Sequence, residues 1–303
     1  MPWTELVHDT RPLLCGATNK STRMMSILNL TPDSFSDGGV HGEVTEADLV
    51  EKLIHHFSHK DPNLILDIGG QSTRPSASEV SPEEELDRIL PIIRAIRSNS
   101  RLDKLPISVD TYRATVAEKA IKAGANIVND VSAGQLDPEM LPTIAKLGCT
   151  CILMHMRGNP ETMSQLSRYP EGVIEGVGQE LKERVREAEE AGIKRWRIIL
   201  DPGIGFAKNS NQNLEILRRF SELRNFKGLH NLPWVVGSSR KKFIGQFTGV
   251  DKARDRIWGS AACVVAAIKG GADIVRVHDV EEMRQVAAMA DAIYRVKSDP
   301  KKT

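Results

Sequence analysis

Arg276 and His278 stand two residues apart at the end of an apolar run, Ile274–Val277, so alternation puts both side chains on one face of a strand. A guanidinium fork beside an imidazole suits the oxygens of a phosphate or pyrophosphate. Asp110, Asn129 and Asp201 each close an apolar run, namely Ile107–Val109, Ile127–Val128 and Ile198–Leu200. Lys241 follows Trp234–Val236 within Ser238-Ser239-Arg240-Lys241. Buried carboxylates need partners. Two of them with an amide and an ammonium fit a flat heterocycle carrying several N–H donors and a carbonyl. Met24–Leu28 runs into Asn29, Leu64–Leu66 into Asp67 and Ile152–Met154 into His155. Asp67 and His155 are read as residues that orient their neighbours. Ser238–Lys241 also opens a helix around Phe243–Phe247, and a helix start can hold a carboxylate or phosphate.

The elements that must position these groups alternate along the chain. Helical spacing covers Glu46–His59, Pro82–Arg97, Arg113–Lys122, Pro138–Leu147, Glu175–Ala191, Asn213–Leu223, Arg254–Lys269 and Val280–Val296. Repeated strand–helix units imply parallel strands with right-handed crossovers. Without a linker between units, they predict one α/β domain, a (β/α)8 TIM barrel, whose active site lies at the carboxyl ends of the strands. Residues 1–23 are read as an extension covering the barrel's bottom, 24–297 as the barrel and 298–303 as a tail. Ser81-Pro82 and Asp137-Pro138 each pair a cap residue with proline at the first helical position. Two long loops, Thr31–Gly39 and Gly69–Ser76, follow the first two strands, and their Gly, Ser and Pro content fits mobile lids.

Composition excludes other classes of partner. A formal net charge of +1 without a basic strip, and 5% aromatic residues, argue against a nucleic-acid surface. No apolar run approaches the ~20 residues that span a bilayer. Cys15, Cys149, Cys151 and Cys263 lack zinc-framework spacing and are read as reduced thiols, Cys149 and Cys151 pointing to one face of a strand. The start of the chain lacks a signal-peptide pattern, which points to the cytoplasm, or the mitochondrion if the parent polypeptide is eukaryotic. Three motif matches are set aside. Ser238–Lys241 has the S-x-x-K pattern without its companion motifs, Gly203–Lys208 lacks the third glycine of a dinucleotide loop, and Asn19-Lys20-Ser21 is a glycosylation pattern only.

Eight blocks, in order, resemble one family: Asn29–Gly39, Asp67–Pro75, Ser108–Thr111, Asn129-Asp130, Met154–Pro160, Asp201–Phe206, Ser239–Lys241 and Arg276–Asp279. The family is dihydropteroate synthase. The resemblance implies a transferase that joins a dihydropterin-CH2-pyrophosphate to 4-aminobenzoate by a dissociative route, with Mg2+ as cofactor, sulfonamides as competitors and a homodimeric assembly. It implies a pterin site at Asp110, Asn129, Asp201 and Lys241, and a pyrophosphate site at Asn29, Arg74, Arg276 and His278. It further implies a 4-aminobenzoate site at Thr73, Arg74, Pro75, Phe206, Ser239 and Lys241, and metal ligands at Asn29 and Asp33. Asp110, Asp201, Lys241, Arg276 and His278 would carry the catalysis, with Arg276 serving the pyrophosphate. Gln71 and Ser76 stand where many members have Glu and Gly. Gln71 resembles the eukaryotic type, normally the carboxyl-terminal domain of a multifunctional folate enzyme. Two other readings of the same barrel are a methyltetrahydrofolate–corrinoid methyltransferase-like protein and a non-catalytic pterin-binding module.

Overall fold

Two-residue alternation within each strand accounts for the architecture. The computed structural model describes residues 21–31, 46–57, 63–71, 80–159 and 161–295. Most of the expected extension, the tail, and the interiors of both long loops lie outside these residues. The strands are β1 (Arg23–Asn29), β2 (Leu64–Gly69), β3 (Ile107–Asp110), β4 (Ile127–Asp130), β5 (Thr150–Met154), β6 (Ile198–Asp201), β7 (Val235–Val236) and β8 (Ile274–Val277). They form one sheet in the order β6-β5-β4-β3-β2-β1-β8-β7. Every strand pairing is parallel. A parallel bridge between Leu200 and Trp234 joins the two ends and closes the barrel.

One residue parity faces the lumen. Met25, Ile65, Ile127, Ile152, Ile199, Val235 and Ile274 form a single apolar layer inside it, the packed interior expected of this fold. The next inward position, two residues on, is Asn129 in β4, Asp201 in β6 and Arg276 in β8. The apolar layer is therefore a floor and the polar residues stand on it. The opposite parity, including Leu66, Val109, Val128, Leu153, Leu200 and Val275, packs outward into the main core.

That core is completed by helices α1 (Glu46–Phe57), α2 (Pro82–Ser98), α3 (Ala114–Ala123), α4 (Met140–Leu147), α5 (Val173–Glu190), α6 (Ser210–Arg218), α7 (Phe220–Arg224), α8 (Lys242–Thr248), α9 (Ile257–Lys269) and α10 (Val280–Tyr294). Ser81 caps α2, its hydroxyl accepting from Glu84 N at 3.1 Å. Asp137-Pro138 behaves differently. Asp137 accepts from Glu139 N and also from Ala114 N at the start of α3, so it holds a turn and α4 starts at Met140. The segment expected as one helix over Asn213–Leu223 is two, parted at Arg219, and the Arg254 segment opens as a short 3-10 turn before α9. Cys149, Cys151 and Cys263 are free and buried, the first two both in the outward-facing core.

Candidate active site

Asp67 was expected at a strand end, yet β2 continues through Ile68 to Gly69, which pairs with Asp110. Asp67 therefore sits inside the lumen with 0% exposure. There it receives the Arg276 guanidinium from β8, two strands away, Nε to Oδ2 at 2.6 Å, and the Asn129 amide at 3.3 Å. Arg276 Nη2 meets Asp110 Oδ2, also at 2.6 Å. Burial works against the Arg276 charge, but Asp67 and Asp110 more than offset it and hold its pKa above the ordinary value. Burial pushes the Asp110 carboxyl up to about 7; Arg276 opposes this, and Asp67, Glu85 and Asp130 add to the rise. Asp110 Oδ1 is buried without a hydrogen-bond partner, an acceptor that a ring N–H would satisfy.

Residues from β6 and β7 form the other wall. Asp201 Oδ1 accepts from Gly203 N at 2.7 Å. Burial raises the Asp201 pKa, against Lys241, Gly203 N–H and Arg276. Lys241 is the cap position of α8, so its side chain turns back toward the mouth, where Nζ donates to Ile204 O. Its Nζ stands 4.5 Å from the centre of the Phe206 ring. Burial pulls the Lys241 ammonium down to about 8, Asp201 pushing it back up. Buried Ser239 approaches His278 Nδ1 at 3.0 Å, tying the start of α8 to the end of β8.

Eight parallel strands, polar lumen residues above an apolar floor, and a run of matched residues from end to end decide the family. The model of the pterin-binding enzyme family matches residues 25–278. Dihydropteroate synthase of Synechocystis is 46% identical, over 94% of this chain and 96% of that protein. The chain belongs to the dihydropteroate synthase family. Folic acid synthesis protein fol1 of Pneumocystis carinii is 48% identical, over 95% of this chain but only 40% of fol1. The chain thus spans less than half the length of that relative. Xanthomonas albilineans dihydropteroate synthase, solved with 4-aminobenzoic acid, superposes with a TM-score of 0.79 at 38% identity, covering 91% of this chain and 94% of that one.

Within this dihydropteroate synthase barrel, Asp110, Asn129, Asp201, Lys241 and Arg276 share one mouth. The expected division between a pterin group and an anion group is less sharp than the sequence suggested, because Arg276 is bonded to the carboxylates of β2 and β3. Asn29 lies at the end of β1. Asp33, Thr73, Arg74 and Pro75 lie outside the described residues. Sequence reasoning left Asp67 and His155 without partners and missed Arg113, Glu85, Lys208 and Glu180. Arg113 joins buried Glu85, Gln71 and Val80 O, and so grips both ends of the second loop. Gln71 also donates to Tyr112 Oη at 3.0 Å. Nothing in the spacing marked these four, since each sits among ordinary helix or loop charges.

Proposed function

We propose that the chain forms dihydropteroate from 6-hydroxymethyl-7,8-dihydropterin pyrophosphate and 4-aminobenzoate. The observation that carries this is the unpartnered Asp110 Oδ1 beside Asn129, Asp201 and Lys241, an acceptor-rich pocket suited to a pterin's amino and ring N–H groups. Asp110, Asn129, Asp201 and Lys241 bind the pterin ring. As the methylene–oxygen bond breaks, its electron pair leaves with pyrophosphate. The carboxylates of Asp110 and Asp201 then face the electron-poor pterin methylene. Among the described residues the Arg276 Nη1 edge carries no bond, which leaves it available to the departing oxygens, with His278 and Arg74 on the same anion. The amine of 4-aminobenzoate attacks the methylene carbon, forms the new C–N bond and gives up one N–H proton to the released pyrophosphate or to solvent. Thr73, Arg74, Pro75, Phe206, Ser239 and Lys241 hold that acceptor, and sulfonamides, as aryl amines, compete for the same place.

Asn29 and Asp33 supply two hard oxygen donors, which fit Mg2+ because that ion keeps water and phosphate oxygens as its remaining ligands. When bound it would neutralise charge on the pyrophosphate. Among the described residues there is no cluster of three acidic, His or Cys side chains for a metal held by protein alone. Buried free thiols suit a reducing compartment, and no helix among the described residues is long and apolar enough to cross a membrane.

The protein acts as a homodimer. Helix α9 is apolar nearly all round, IWGSAACVVAAIK, and such a helix needs cover on both sides. Its outer side leaves Trp258 81% exposed; neighbouring α8 and α10 expose Phe247, Met289 and Ile293. A second copy presenting the same face provides that cover.

Incubation with the dihydropterin pyrophosphate, 4-aminobenzoate and Mg2+ tests the activity. Dihydropteroate with amine-dependent pyrophosphate release is expected; the absence of both would overturn the reading.

A further inference from the structure

The loop after β6 bends through Gly203 (φ +67°), Gly205 (φ +81°) and Ala207 (φ +49°). A side chain at position 203 would run into His155 O, so the close approach itself requires glycine. Ala207 adopts a left-handed backbone although it carries a Cβ, a conformation that L residues disfavour. Something outside the loop must over-determine its shape.

Two ammonium groups and one phenol collect its carbonyls. Lys241 takes Ile204 O. Lys208 Nζ takes Gly203 O at 3.1 Å and Phe206 O at 2.9 Å. Tyr169 Oη takes Ala207 O at 3.1 Å. The third Lys208 proton goes to His155 Nδ1 at 2.8 Å, and His155, 2% exposed, turns Nε2 to Glu180 Oε2 at 3.0 Å. Burial draws the Lys208 pKa well below its ordinary value, and Asp201 opposes it. With the ammonium donating to Nδ1 and the Glu180 carboxylate facing Nε2, a neutral ring carries its hydrogen on Nε2. Burial and the Lys208 charge pull the His155 pKa down to about 4, consistent with a neutral ring. Arg157 clasps Glu180 and lies over the Tyr169 ring, 3.9 Å from its centre. The chain of contacts thus runs Lys208, His155, Glu180, Arg157, Tyr169 and back to Ala207. It is closed, and anchored on α5.

We propose that Lys208 is a positioning residue for the acceptor subsite. Its ammonium fixes the Gly203–Ala207 backbone so that the Phe206 ring and the Lys241 ammonium stand together at the mouth. This rests on reading Phe206 and Lys241 as 4-aminobenzoate contacts. Of the pterin residues, Asp110 and Asn129 come from other strands and have no part in the circuit, whereas Asp201 holds the loop's Gly203 N–H and Lys241 serves both subsites.

Steady-state kinetics of Lys208→Met, which keeps the stem and removes three donors, tests it. The KM for 4-aminobenzoate should rise on the order of tenfold, and that for the pterin substrate by clearly less, because Asp110 and Asn129 keep their places. Phe206→Ala is the control. If Phe206→Ala leaves the 4-aminobenzoate KM unchanged, the acceptor-site reading itself fails. If Phe206→Ala raises it and Lys208→Met does not, or raises both KM values equally, the positioning role fails. Should Lys208→Met not fold, Tyr169→Phe removes only the contact to Ala207 O and should raise the same KM about threefold; no rise would overturn the proposal.

Discussion

Asp110 and Lys241 lose their charges on opposite sides of a narrow pH window. Asp110 is protonated as pH falls through about 7, and Lys241 gives up its proton as pH rises through about 8. A pterin pocket that needs the carboxylate and the ammonium should show a bell-shaped kcat/KM for the pterin substrate, declining on both sides of that window. Asp110→Asn should lower the plateau and flatten the acid limb. A wild-type profile level from about pH 6 to about pH 9 would show that neither charge governs the step. Asp67, read from the sequence only as a residue that orients its neighbours, acquires a named partner in the fold. Its carboxylate has no exposure and shares Arg276 with Asp110. Breaking a buried pair from one side is expensive, so Asp67→Ala should cost about 3 kcal/mol in urea unfolding and release Arg276 from its set orientation. A loss below about 1 kcal/mol would mean the guanidinium is held by Asp110 alone.

The elements explain why the second loop is tethered from α3. Arg113, the residue just before that helix, bonds Gln71 where the loop leaves β2 and Val80 O where it returns to α2. It also neutralises buried Glu85 on α2. Arg113→Met should therefore destabilise by about 3 kcal/mol, because the Glu85 carboxylate is stranded. It should also raise the KM for 4-aminobenzoate more than that for the pterin substrate, since Thr73, Arg74 and Pro75 lie between the two tethered ends. Equal effects on both constants would separate the tether from the acceptor site. Element order was legible because period two and helical spacing are local properties. Boundaries were less so: β2 runs past Asp67 because Ile68 and Gly69 still pair with Val109 and Asp110. The start of α4 moved because Asp137 also caps α3. Both shifts come from partners distant in the chain.

Across the whole molecule, buried ionisable groups pull stability in opposite directions with pH. His155, depressed to about 4 chiefly by burial, contributes stability that is fully present above its unfolded pKa of 6.5 and lost as pH falls toward 4. Asp110, raised to about 7, works the other way over the same range. The net slope is a sum, so a difference measurement isolates one term. The stability gap between wild type and His155→Gln should shrink by up to about 3 kcal/mol between pH 7 and pH 4. A pH-independent gap would mean that the imidazole is not held neutral. Assembly is the other property of this scale. Trp258→Glu places a charge on the exposed apolar face of α9 and should convert the proposed dimer to monomer by sedimentation, with the barrel still folded. A wild-type monomer would remove that face from the interface.

Sequence by itself determined the strand order, the inward parity and the identity of the residues above the apolar floor, because alternation ties a side chain's direction to its position in the strand. Asn129, Asp201 and Arg276 were all legible in this way. Which of them would touch was decided only by closure of the barrel. Arg276 reaches Asp67 across 209 residues and Asp110 across 166, and Lys208 reaches His155 across 53. Periodicity carries direction, not distance, and a buried charge takes its properties from whatever the closed barrel places beside it.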